Sequence, residues 1–142
     1  MQQTLLQTEK IETIIYTIRG LQVMMDRDLA QLYNVETRIL NQAVKRNISR
    51  FPETFCFRLN DAEFKSWISQ IVISKSKKMG LRKPPIVFTE QGVAMLSYVL
   101  HSVTAINVSI QIMNAFVSMR KKWFSWVILN IGLKKLNINC LK

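Results

Sequence analysis

DRDLAQLYNVETRILNQAVKRN, residues 26–47, decides how this chain is read. Leu29, Ala30, Leu32 and Tyr33 recur at helical spacing behind Asp26, which is expected to act as the N-cap of a short helix starting near Arg27. Asn34 is suited to end that helix in a left-handed turn. Thr37 is expected to cap a second helix, TRILNQAVKRN. At about 100° per residue, with Thr37 at zero, Ile39, Leu40, Ala43 and Val44 fall within about 200–340°, and Arg38, Asn41, Gln42, Lys45 and Arg46 within about 40–180°. The first sector predicts packing against the preceding helix. The second carries three cations and two amides and no acidic residue.

Two helices joined by a tight turn, the second with such an outer face, meet the needs of a major-groove reader. Arg and Lys donate to guanine edges and phosphates, and Asn and Gln pair bidentately with adenine. Arg38, Asn41, Gln42 and Lys45 are therefore the candidate base contacts. Arg46 and Arg50, toward the end of the helix and beyond it, are candidate phosphate contacts. A plain helical hairpin with a solvated basic face remains the competing reading of these residues.

Outward from this stretch, the charge is uneven. The 142 residues carry a formal net charge of +11. Residues 1–36 hold three basic and five acidic side chains, 37–90 eleven and four, and 91–142 six and none. The excess predicts a polyanion-facing middle, with nucleic acid the first expectation and an anionic membrane the second. Lys75, Lys77, Lys78, Arg82 and Lys83, in and just after SKSKKMGLRK, form a second cluster suited to phosphate contact as a wing or arm.

Elsewhere, Ile14–Met25 reads as two short strands around Arg19-Gly20. Phe55–Leu59 and the PPIVF run, residues 84–88, read as further strands. Asn60 and Glu63 have the spacing of a capping box, Thr89 is placed to cap a helix through EQGVAMLSYVL, and a last helix is expected from about Ala105 to Arg120. Its apolar face is assigned to Ile106, Ile110, Met113, Ala115, Phe116 and Val117. Phe64, Trp67 and Ile68 read as core. The fold class expected is α+β, a small helix-turn-helix-related domain with short strands and a C-terminal helical pair. It should occupy residues 1–122, followed by an atypical apolar and basic tail, 123–142, the remnant of a truncated or frameshifted continuation.

Catalytic signals are sparse. His101, the single histidine, has no Cys or carboxylate cluster beside it and is expected at a helix end. Nucleophile-elbow, P-loop and dinucleotide motifs do not occur. Glu90 sits in a first helical turn, where the helix dipole explains it. Cys56 and Cys140 are far apart and fit a reducing compartment. The apolar run Trp123–Leu133 is shorter than the ~18 residues a span needs. No catalysis, metal, cofactor or membrane contact is expected, and a cytoplasmic location is.

Three blocks in order, MMDRDLAQLYNVETRILNQAVKRNISRFPETFCFRLN, PPIVFTEQGVAMLSYVL and AINVSIQIMNAF, resemble the KilA-N superfamily of DNA-binding domains. The closer likeness is to its branch named for the N-terminal domain of a phage open reading frame six. The resemblance covers about Ile18–Lys121. It implies a phage- or mobile-element-linked bacterial regulator that binds double-stranded DNA through the LAQLY and VETRILNQAVKRN helices, with RFP and FTEQG in structural roles. Val103-Thr104 and Asn114 depart from the charged residues usual in the family, implying loss of an ion pair between helices. The alternative it leaves open is an antirepressor-type interaction module that sequesters a repressor or other regulatory protein and has little DNA affinity.

Overall fold

The structure, a computed structural model, describes residues 2–71 and 83–140. Helix α1 (Gln2–Glu12) leads into a hairpin of β1 (Ile15–Ile18) and β2 (Leu21–Met25), followed by α2 (Asp26–Tyr33) and α3 (Thr37–Arg46). A single 3-10 turn, Ile48–Arg50, precedes β3 (Cys56–Arg58), α4 (Asp61–Ile71), β4 (Ile86–Thr89), α5 (Glu90–Leu100) and α6 (Val103–Cys140). The α+β class expected from the sequence is the one observed.

The four strands form one antiparallel sheet in the order β1-β2-β4-β3. Ile18 pairs with Leu21, so Arg19-Gly20 is a two-residue loop. Both residues have positive φ, 56° and 71°, the primed geometry that matches strand twist. A left-handed arginine is costly, and here it is held from its far end. Its guanidinium donates to both carboxylate oxygens of Glu63 at 2.7 and 2.9 Å and lies 4.1 Å over the Phe57 ring. Glu63 in turn closes the capping box read in the sequence: its backbone N–H donates to Asn60 Oδ1, and its carboxylate accepts from the Asn60 N–H. The Arg19 guanidinium and the Asn60 N–H together hold the Glu63 carboxyl below its ordinary pKa.

Alternation along β2 sends Val23 and Met25 to one side of the sheet and Met24 to the other. The first side packs on α4, burying Phe57, Leu59, Trp67 and Val87 with Phe64 and Ile68 against them. The second and larger core joins Met24 and Phe88 to Leu29, Leu40, Leu96, Ile112 and Phe116 from α2, α3, α5 and α6. Tyr33 crosses between layers, its hydroxyl 2.7 Å from Ser109 Oγ on α6. Burial pushes its pKa up to about 12, so the pair stays neutral across the working range. Tyr33→Phe leaves the buried Ser109 hydroxyl without its partner and is expected to cost about 1–2 kcal/mol, read as a lowered urea midpoint with unchanged m-value.

Several expectations are corrected. Asp26 is the first residue of α2, not its cap, and Thr37 likewise lies inside α3; the cap positions fall to Met25 and Glu36, with no side-chain cap bond. Asn34 does end α2 in the left-handed region, and Thr89 does cap α5, its Oγ1 accepting from Gly92 N–H. His101 is the left-handed C-cap of α5. The last helix starts two residues before the predicted position, with Ser102 Oγ accepting from Ala105 N–H, and continues past Arg120 to Cys140 without a break at Lys122. Its buried side is Ala105, Ser109, Ile112, Ala115 and Phe116, whereas Ile106 and Ile110 face solvent. An ion pair joins Glu90 of α5 to Arg120 of α6, at positions other than Val103, Thr104 and Asn114, which are exposed.

Candidate nucleic-acid interface

Three residues, Asn34–Glu36, separate α2 from α3. The backbone N–H groups of Asn34 and Val35 donate to the Gln31 and Ala30 carbonyls, satisfying the end of α2 while the left-handed Asn34 turns the chain. Helix α3 then lies against α2 and α5 through Leu40 and Val44, both buried. Ala43 is half-buried, and Ile39, assigned to the inner face by the wheel, is 43% exposed. The reason is geometric: neighbours on two sides cover a narrow i, i+4 stripe, less than the full apolar sector of a ten-residue helix.

Opposite that stripe, Arg38, Gln42, Lys45 and Arg46 are all exposed. Arg38, Gln42 and Lys45 follow one another at i, i+4 and i+7, a row about 10 Å long at about 1.5 Å per residue. Arg38 Nη2 lies 3.3 Å from Glu36 Oε2, with both side chains about 70% exposed. A solvated pair of this kind contributes little and yields readily to a phosphate. Arg50 extends the same basic run past the helix end, its guanidinium 4.5 Å over the Tyr98 ring of α5. Tyr98 was not singled out by sequence reading, and its partner lies 48 positions away, beyond any local pattern.

Asn41 is placed differently from its neighbours. It is half-buried, and its Nδ2 donates at 3.1 Å to Oδ2 of the buried Asp26. The other carboxylate oxygen accepts the Arg27 backbone N–H at 2.7 Å. Asp26 thus latches the start of α2 to the middle of α3, and Asn41 fixes the angle between the two helices while the residues around it remain outward. An aspartate at a helix start reads as a cap from sequence. Only the packing of α3 across it reveals the cross-helix role.

Of the second basic cluster, Lys75, Lys77, Lys78 and Arg82 lie outside the described residues. Lys83 is exposed, and beside it the Pro84 carbonyl accepts from Arg58 Nη1 at 2.7 Å. Arg58 thereby joins Lys83 at the open edge of the sheet, where β3 is the terminal strand. Among the described residues, no group of three or more His, Cys, Asp or Glu side chains could hold a metal ion, and no helix is long and apolar enough to cross a membrane.

The two sequence hallmarks meet in one place. Pro52 carbonyl accepts from Phe55 and Cys56 N–H, turning the chain after Phe51, whose ring packs edge-on against Phe88 at 6.1 Å. Phe55 carbonyl accepts from both the N–H of Thr89, at 2.9 Å, and its Oγ1, at 3.1 Å. The RFP and FTEQG segments therefore form the junction that seats α5, and α5 supports α3. Comparison with curated proteins and with solved structures returns no match in either case. The family model described as the ORF6N domain matches residues 13–99, a stretch that starts just before the hairpin and runs through α3, the junction and nearly all of α5. That match spans more than half of the chain, which therefore belongs to the ORF6N-domain family.

Proposed function

We propose that this protein is a DNA-binding module of a phage- or mobile-element-linked bacterial regulator, reading duplex DNA with α3. The observation that carries the reading is the exposed row Arg38, Gln42 and Lys45, continued by Arg46 and Arg50, on the second of two helices joined by a three-residue turn and with no acidic residue of α3 on it. In this reading Arg38, Gln42 and Lys45 reach base edges, and Arg46 and Arg50 hold phosphates on either side of the groove. Tyr98 stacks beneath Arg50 and keeps its fork extended toward the backbone of the duplex. Asn41 acts one step back, holding α3 at the angle that presents the row. Lys83 and Arg58 supply further positive charge for phosphate contact. The reading assigns no catalytic step and no cofactor.

Titration of the full chain against labelled mixed-sequence duplex DNA at several salt concentrations tests it. Four phosphate-directed cations predict that log affinity falls against log salt with a slope of at least about −3, at about −0.9 per phosphate neutralised. Affinity indifferent to salt would reject the DNA reading in favour of an interaction module that binds protein through apolar surface.

A further inference from the structure

One apolar side chain stands on the polar face of α3. Arg38, Ile39, Gln42, Lys45 and Arg46 are the exposed residues of this helix, and Ile39 alone among them is apolar. At about 100° per residue, Ile39 lies about 60° from Gln42 and about 20° from Arg46, on the flank away from Arg38 and Lys45. Its 43% exposure follows from the narrow stripe, Leu40 and Val44, that the neighbouring elements cover. Isoleucine has a lower helix propensity than Arg, Gln or Lys, so a purely solvated face gains nothing from it. Exposed apolar residues do occur singly on ordinary surfaces; what sets this one apart is its position. Ile39 is the third residue of α3, one turn before Gln42, in the N-terminal half through which a reading helix meets base edges.

In the major groove the four bases offer donors, acceptors and one apolar group, the C5-methyl of thymine. Charge narrows what else could cover Ile39. Among the described residues Lys45 and Arg46 join no ion pair, and Arg38 keeps only its solvated contact with Glu36. A surface laid over Ile39 therefore meets three cations at once, and duplex DNA supplies phosphates and a methyl group in the same groove. Branching at Cβ holds the isoleucine side chain to one favoured χ1 rotamer in a helix, so little freedom is lost when its methyl groups make contact. We propose that Ile39 packs on a thymine methyl and is a specificity-determining residue beside the adenine-directed Gln42. This rests on the DNA reading above and deepens it, since the target must then contain thymine at a defined place. Cβ atoms at i and i+3 are about 5–6 Å apart and base steps ~3.4 Å, so that thymine lies one or two base pairs from the pair read by Gln42.

The full chain is first used to select its preferred duplex from a random-sequence pool. Anisotropy titration then compares that duplex with versions in which single thymines are replaced by deoxyuridine, which removes the methyl group and keeps the pairing and the phosphates. One thymine is expected at which the parent chain loses about fourfold in affinity, the worth of one buried methyl group. Ile39→Ala should bind the thymine and uracil duplexes equally, and Ile39→Val, which keeps a branched apolar side chain, should retain the preference. Any loss of folding in either variant acts on both duplexes alike and cancels in the ratio. Gln42→Ala should relax discrimination one or two base pairs from the sensitive thymine. A parent chain indifferent to every thymine-to-uracil change, or a preference that survives in Ile39→Ala, would overturn the proposal. So would salt-dependent binding from which no preferred sequence emerges, a result that keeps phosphate contact and removes base reading. Binding that is absent or indifferent to salt would instead reject the DNA reading itself, and the thymine contact with it.

Discussion

Replacing Arg38, Gln42 and Lys45 together by alanine is expected to weaken binding to duplex DNA by about 10²- to 10⁴-fold, with no change in the thermal melt. Each good base contact is worth about 1–3 kcal/mol, and a factor of ten requires about 1.4 kcal/mol. Three such contacts, allowing for coupling along one helix, span that range. All three side chains are exposed, and none contributes to either core. Breaking the Arg38–Glu36 pair to reach the DNA costs little, since both groups are solvated. Asn41 is left in place by design. Changing it would free the buried Asp26 carboxylate from its donor and tilt α3, so lost binding would no longer report on base contact. The single change Gln42→Ala should relax discrimination at one base pair while leaving the salt slope unaltered; Arg46→Ala should instead lower the slope by about 0.9. A triple variant that binds as tightly as the parent chain would remove α3 from the interface.

Gly92→Ala is expected to be the most damaging single-methyl change in the protein, at about 3 kcal/mol or more, at the upper end of the overpacking range. A Cβ at this position would lie 2.1 Å from the Phe55 carbonyl oxygen and 3.0 Å from its carbon. That carbonyl cannot retreat without losing the bonds it accepts from Thr89 N–H and Oγ1. The opposite side is closed by Phe88 Cβ at 3.4 Å. In an open helix interior the same substitution stabilises by up to about 1 kcal/mol through propensity, and Gly132, with nothing within 4 Å of its added Cβ, provides that control in the same molecule. Urea unfolding of the two variants should therefore shift in opposite directions. Because α5 supports α3, the Gly92 variant should also lose DNA binding in proportion to its unfolded fraction. Equal midpoints for the two variants would show that the Phe55 junction yields more easily than its hydrogen bonds imply.

Features that depend on residues a few positions apart were legible in the chain alone. The Arg19-Gly20 turn, the Asn60–Glu63 capping box, the left-handed Asn34, the helix end at His101, the Thr89 cap and the succession of two helices ending in a basic outer face are all local matters. Their dihedral preferences and short-range hydrogen bonds are set by near neighbours. FTEQG was recognisable as a structural hallmark, but the chemistry behind it was not, because the atom that demands a glycine belongs to Phe55, 37 positions earlier.

Tertiary structure decided the rest. Hydrophobic period states that a helix has an apolar side, not which part of that side meets a neighbour. Ile39, Ile106 and Ile110 were therefore assigned to the interior and are exposed, while the small residues Ala105, Ser109 and Ala115 face the core because the helices come close there. Asp26 and Asn41 had strong local roles in sequence, as a cap and a base reader. They are joined instead because the bend at Asn34 lays α3 across the start of α2, where burying a carboxylate requires a donor. Apart from α1 and the extension of α6 beyond Arg120, the sequence by itself determined which elements form and which charge they show to solvent, through interactions that decay within a turn or two. Only the packing of those elements determined which polar groups are occupied and which apolar stripes remain open, because burial is a property of what lies opposite.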